Sequence, residues 1–414
     1  MYAVELERFT TYDSLFTLTY LVDSMKTSTT MLCCFILFAA YLVGTSKAEK
    51  NVTTILIKSA IADGAVCLDG SPPAYNWDAG HGSSAHNWLV HLGGGGWCLN
   101  STIYEHHKEA YAGSCIKRAE TDIGSSFRMS DHYPFNGIFS DKKNDTYFYN
   151  WNRVIVRYCD GASFSGDVDQ PDPETKLFYR GARIYKAVIN ELMAKGMKDA
   201  QNVILAGGSA GGIGAMIHCD HFRSLFHPSV NVKCYADSSF FLKLRKDPKH
   251  AKYFKTVFGT VVELQQVAKA LPAECISKRS AASCFFPKHL VKYIKTPIYF
   301  LNSAFDSYQI RTTFSERLHE RIEKHTVTPS DMKLLRSFRQ QLINALPTPS
   351  ATNGYVVTSQ FGHSFGPKSL KVPMFPQNTK SKTLEEALVQ WFFNEGRFHI
   401  VDPNDEPFWN ATAP

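Results

Sequence analysis

The sequence predicts an α/β fold, a mostly parallel sheet with helices on both faces, built as a single large domain. Three observations carry this. Apolar, β-branched runs alternate with amphipathic ones along the chain. A glycine-rich turn, Gly207-Gly208-Ser209-Ala210-Gly211-Gly212, joins the apolar run Val203-Ile204-Leu205-Ala206 directly to a helix-like run from Ile213 to Arg223. After the first 48 residues about 366 remain, without repeats, heptads or low-complexity linkers, a length that suits one α/β core with insertions.

The N-terminal region is set apart. Met25-Lys26, the apolar run Met31 to Val43 and the small residues of Ser46-Lys47-Ala48 read as a signal peptide over 25–48, cleaved after Ala48. The apolar run is short for a membrane span, so no stable insertion is expected after cleavage. Residues 1–24, with acidic Glu5, Glu7, Asp13 and Asp23, form an extension that belongs to neither the signal nor the domain at 49–414.

Within that domain, strands are expected at 53–58, 87–92, 153–158, 202–206, 232–236, 297–301 and 354–359. Helices are expected near 178–196, 211–225, 331–346 and 383–394. The strand at 87–92 runs into Gly93-Gly94-Gly95-Gly96-Trp97-Cys98. Glycines without side chains let a backbone approach a ligand closely and turn its amides inward.

The turn at Ser209 fits Gly-x-Ser-x-Gly between strand and helix, a strained elbow that lifts a serine hydroxyl above an α/β-hydrolase sheet. Such a serine needs a base, a group that orients the base, and donors for the oxyanion. Chain order supplies them. Asp306 follows the strand Pro297-Ile298-Tyr299-Phe300-Leu301, and His363 follows Gly354-Tyr355-Val356-Val357-Thr358-Ser359, giving the order serine, acid, histidine. Asp237, at the end of Val232 to Ala236, is a rival for the acid. The amides of Ala210, Gly96 and Trp97 are the expected oxyanion donors.

These motifs resemble the plant pectin acetylesterases, a carbohydrate-esterase family related to the carboxylesterase Notum. The resemblance covers roughly residues 52–400. It rests on Gly64 to Tyr75, Gly94 to Cys98, Phe148 to Arg153, Arg157 to Asp167, Ser209 to Gly212, and Leu301 to Ile310. It implies a secreted, extracellular cell-wall enzyme that hydrolyses O-acetyl esters of pectin through Ser209, Asp306 and His363, with no metal and no cofactor. The rivals are a Notum-like esterase acting on a longer acyl chain and a wall-binding protein of weakened catalysis.

The chain departs from that family at several positions. It has Gly93 where the family has Glu, Gly208 where it has Cys, and Gln360 and Ser364 where cysteines flank the histidine. Val401 to Phe408 replaces a cysteine-rich stretch, and the loop after Gln309 is shortened. A looser histidine loop is the expected consequence of a missing disulfide.

Three aromatics beside the motifs, Trp97, Phe164 and Tyr308, are expected as sugar-stacking platforms. His91 and His218 read as structural. Outside the N-terminal region eight cysteines remain, an even number that suits disulfides formed in an oxidising lumen. Their connectivity is open, with Cys98–Cys115 and Cys275–Cys284 the local pairs to test first. The absence of Cys-x-x-Cys argues against zinc. Sequons at Asn51, Asn100, Asn144 and Asn410 suit a secreted glycoprotein.

The formal charge of +7 becomes +8 once the net −1 of residues 1–48 is removed. That excess suits either a polyanionic substrate or plain solubility. Aromatic-basic motifs for nucleic acid are lacking, and a monomer is expected.

Overall fold

The structure, a computed structural model, describes residues 50–99, 113–244, 252–368, 370–375, 378 and 380–408. The expected signal and extension, and the sequons at Asn100 and Asn410, lie outside these residues.

Val203 to Ala206 is apolar at every position, the pattern of a strand covered on both faces. It lies in β8 (Asn202–Gly208), with β3 (Asn87–Leu92) on one side and β9 (Asn231–Asp237) on the other, both parallel to it. Outward from β9 run β10 (Ile298–Ser303), β11 (Asn353–Thr358) and the short β12 (His399–Val401), all parallel. Beyond β3 lies β7 (Asn152–Val156), again parallel. The far edge is antiparallel in succession: β2 (Ala74–Asp78) on β7, β1 (Lys50–Leu56) on β2, and β6 (His132–Phe135) on β1. The order β12-β11-β10-β9-β8-β3-β7-β2-β1-β6 makes a ten-stranded, mostly parallel sheet. A small pair, β4 (Cys98–Leu99) and β5 (Gly113–Ser114), stands apart from it.

All seven expected strands are present with boundary shifts of at most three residues. The additional strands β2, β6 and β12 are short, and β6 carries Pro134 at the sheet edge, where a missing N–H is tolerated. The four expected helices are present, at Gly181–Ala194, Ala210–Ser224, Pro329–Ile343 and Leu384–Phe392. In chain order the helices used below are α1 (Cys115–Ala119), α2 (Gly181–Ala194), α3 (Ala210–Ser224), α4 (Lys252–Leu264) and α5 (Ser307–Thr313).

Hydrophobic cores form on both faces of the sheet. One gathers α2, α3 and α4 over Val90, Val203 and Leu205. The other packs Trp391, Phe392 and Leu388 against Ile204, Tyr235 and Tyr299. Among the described residues four buried disulfides cross-link the domain: Cys67–Cys159, Cys98–Cys115, Cys219–Cys234 and Cys275–Cys284. Both local pairs set out from the sequence are among them.

Candidate active site

Ser209 caps the C-terminal end of β8 and the start of α3 with φ 54° and ψ −126°, a left-handed conformation costly for a residue with a side chain. Glycine flanks make the bend achievable. A Cβ on Gly207 would stand 2.2 Å from Gly211 O, and one on Gly211 would stand 2.1 Å from Leu92 O, so a side chain at either position would collide with backbone. The Ser209 amide donates to Asp237 O at 2.9 Å, fixing the elbow to the neighbouring strand.

The loops after β10 and β11 bring the other two residues to this end of the sheet. His363 Nε2 lies 2.9 Å from Ser209 Oγ, and His363 Nδ1 lies 2.8 Å from Asp306 Oδ2. The second oxygen of Asp306 accepts from Gln309 N–H at the start of α5, so both carboxylate oxygens are oriented. Burial pulls the His363 imidazole down, but contact with Asp306 and the field of Asp237 leave it above its usual range. The three groups form one hydrogen-bonded line that can take a proton from Ser209 and hold the resulting imidazolium beside a carboxylate.

Asp237 takes another place. Its carboxylate is fully buried and accepts from Gly366 N–H at 2.6 Å and Ser238 Oγ at 2.9 Å, while Ser238 Oγ accepts from Ser364 N–H at 2.9 Å. These bonds grip the histidine loop on both sides of Phe365. Phe361 N–H adds a bond to Phe408 O at 2.8 Å. Hydrogen bonds therefore hold the histidine loop, where a looser one was expected.

The glycine loop passes directly against the elbow. A Cβ on Gly94 would stand 2.5 Å from Gly208 O and 3.0 Å from Ser209 Cβ. Its carbonyls are held: Gly95 O and Trp97 O by Arg118, at 2.7 and 3.0 Å, and Gly96 O by Tyr158 Oη at 2.7 Å. Ala210 opens α3, so its amide has no acceptor within the helix.

Two of the expected platforms are corrected. Trp97 and Phe164 are fully buried, so neither ring faces a sugar. Trp97 meets Phe241 and Phe258 edge-on at 4.9 and 4.8 Å between centroids, and its Nε1 donates to Ser163 Oγ at 3.0 Å. Phe164 packs beneath the loop against Tyr158 at 5.3 Å. Tyr308 is half-buried and stacks on the His363 ring at 5.2 Å. His91 and His218 are buried, His91 beside the elbow at Gly208 with neither ring nitrogen hydrogen-bonded, and His218 flat on Tyr185 at 3.8 Å.

A model of the pectinacetylesterase family matches residues 45–413. The chain belongs to this family. It is 39% identical over 365 residues to pectin acetylesterase 11 of Arabidopsis thaliana, covering 85% of this chain and 90% of that one. Pectin acetylesterase 7 of the same plant is 38% identical over 392 residues, covering 92% and 96%. A solved structure of the Wnt deacylase Notum from Drosophila superimposes with a TM-score of 0.72 at 23% identity, over 88% of this chain and 100% of that one. That likeness places the sheet and its helices in the same α/β fold.

Arg118, Tyr158, Ser163, Ser238 and Phe241 contact the glycine loop or the histidine loop, and nothing in the sequence pointed to these contacts. Tyr158 and Ser163 sit within the motif Arg157 to Asp167, which signalled their region without their contacts. Among the described residues no group of three or more His, Cys, Asp or Glu is arranged to hold a metal ion.

Proposed function

We propose that this chain is a secreted serine esterase that removes acetyl groups from pectin in the cell wall. The observation that carries the reading is the line Ser209–His363–Asp306, at hydrogen-bond distances throughout, in a member of the pectinacetylesterase family. Ser209 Oγ attacks the acetyl carbonyl carbon while His363 Nε2 takes its proton, and the carbonyl oxygen becomes an oxyanion facing the amides of Ala210, Gly96 and Trp97. When the carbonyl re-forms, the bond to the sugar oxygen breaks and His363 returns the proton to that oxygen. Water then attacks the acetyl-enzyme with His363 as base. Acetate departs and Ser209 regains its proton.

The four disulfides support passage through an oxidising lumen. Asn51 and Asn144 are exposed, as glycan acceptors must be. The fold shared with a Wnt deacylase raises the reading of a longer acyl substrate. Against it, Phe241 stands in ring contact with His363 and is itself packed against buried Trp97, Phe254 and Phe258, an aromatic cluster that favours a short acyl group.

The test is acetate release from acetylated pectin by residues 49–414 expressed in a secretory host, with Ser209→Ala as control. Release abolished by the substitution supports the reading. Folded protein whose Ser209 does not react with a fluorophosphonate would exclude every serine-esterase reading and leave the wall-binding one.

A further inference from the structure

An oxyanion hole accelerates acyl transfer only when its amides already point at the position of the developing charge. A run of four glycines has little intrinsic reason to hold any one set of peptide planes. In this chain the planes are fixed from behind. In a trans peptide the carbonyl of one residue and the amide of the next point in opposite directions. The bond from Arg118 Nη1 to Gly95 O therefore sets the direction of the Gly96 amide, and the bond from Tyr158 Oη to Gly96 O sets that of the Trp97 amide. Arg118 Nη2 closes the loop by holding Trp97 O. The first two of these peptide groups carry the Gly96 and Trp97 amides, the expected oxyanion donors.

The two clamps are themselves anchored. Arg118 is buried on α1, whose first residue, Cys115, is disulfide-bonded to Cys98 at the end of the glycine loop. Tyr158 Oη accepts from Ser163 N–H at 3.0 Å while donating to Gly96, and Ser163 Oγ accepts from Trp97 Nε1. Ser163 and Phe164 both have left-handed backbones, φ 61° and 57°. Strain of this kind persists only where surroundings over-determine it. Here the buried Asp160 carboxylate holds the turn by accepting from Ala162 and Phe164 N–H at 3.2 and 2.8 Å. The strained turn thus delivers a donor to the Tyr158 hydroxyl and an acceptor to Trp97 at the end of the glycine loop.

We infer that Arg118 and Tyr158 are positioning residues for the oxyanion hole, holding the Gly95 and Gly96 carbonyls so that the Gly96 and Trp97 amides face the substrate oxygen. Neither side chain touches the reacting atoms; both act through the backbone. The inference rests on the esterase reading and extends it to residues that a view of the triad alone omits.

The test compares Tyr158→Phe, which deletes a single oxygen, and Arg118→Lys, which keeps the charge but replaces a planar fork that reaches two carbonyls with one ammonium. The substrate is 4-nitrophenyl acetate, with Ser209→Ala alongside. Binding of a trifluoromethyl ketone, which forms a tetrahedral oxyanion on the serine, is measured in parallel, with Tm to check folding. For Tyr158→Phe we expect kcat to fall about 10- to 100-fold with KM within about twofold, somewhat less than direct loss of an oxyanion donor costs. The ketone should lose affinity by a similar factor, and Arg118→Lys should act in the same direction. Folded Tyr158→Phe with unchanged kcat and ketone affinity would overturn the inference. So would a drop in Tm and kcat with ketone affinity intact. Hydrolysis that ignores Ser209→Ala would instead remove the esterase reading itself.

Discussion

Asp237 Oδ2 accepts the Gly366 amide at 2.6 Å, placing a second buried carboxylate under the loop that carries His363. Asp306 and, behind it, Asp237 raise His363 against the downward pull of burial. The base must be neutral to accept the Ser209 proton, so a raised value means activity fails at a higher pH as the medium is acidified. Removing either carboxylate should move the acid limb of kcat/KM to lower pH. Asp237→Asn keeps an acceptor for Gly366, and a shift of up to about 1 pH unit with modest loss of kcat is expected. Asp306→Asn should also cost about 10⁴-fold in kcat, because His363 loses the group that fixes its tautomer. Rate profiles from pH 4 to 9 decide this, and an acid limb that stays fixed in Asp237→Asn would contradict it.

A Cβ on Gly208 would stand 3.7 Å from Ser364 Oγ and 3.5 Å from His91 Nε2, contacts that leave room for a side chain. The double variant Gly208→Cys/Ser364→Cys should therefore oxidise to a disulfide stapling the serine elbow to the histidine loop. A gain of about 2 to 4 kcal/mol is expected, reversed by reductant. Thiol titration and thermal melts with and without dithiothreitol measure it. Free thiols under oxidising conditions would show that the two loops do not meet as described.

The hydrogen-bonded line Ser209–His363–Asp306 was legible because its residues follow strands with apolar runs, and because chain order restricts which loops meet. Strand β2 was not, since Ala74-Tyr75-Asn76-Trp77-Asp78 mixes polar and aromatic residues in a five-residue run after Pro72-Pro73. Helix α4 was hidden by Thr256, Val257, Gly259, Thr260, Val261 and Val262, all poor helix formers. Its buried Phe254, Val257, Phe258 and Val261 nevertheless follow helical spacing. Trp97 and Phe164 were misread because nearness to a motif in sequence does not say which side of the backbone a ring takes. Trp97 turns inward to Phe241 and Phe258, partners more than a hundred residues away that no local pattern reveals.

Acid should weaken the fold through its buried histidines. His91 has neither ring nitrogen hydrogen-bonded and lies edge-on to Phe139 at 5.2 Å. Burial pushes it down to about 4, and His218, buried beneath Phe164, also to about 4. A group depressed on folding contributes its stability above its unfolded value, near 6.5, and loses it as pH falls toward 4. Urea denaturation at pH 7.5 and 4.5 should show a steeper loss for the wild type than for His91→Phe, by about 2 kcal/mol. Equal losses would mean that His91 reaches water or finds a partner in solution.

Acyl-chain preference should depend on Phe241. Its ring centroid lies 6.3 Å from that of His363, 6.2 Å from Tyr308 and 4.9 Å from Trp97, and it packs against Phe254 and Phe258. Each methylene that finds an apolar pocket strengthens transition-state binding by about 1 kcal/mol or more, so opened volume should be read out as tolerance for longer chains. Phe241→Ala is expected to cost about 3 to 5 kcal/mol of stability, and Phe241→Leu provides a milder variant with part of the same opening. In either, the ratio of kcat/KM for 4-nitrophenyl octanoate over the acetate should rise at least about tenfold, mainly through the octanoate term. A fall in Tm with an unchanged ratio would make Phe241 a core residue with no bearing on specificity. A wild type that already favours octanoate would move the substrate reading from acetyl groups to longer acyl chains.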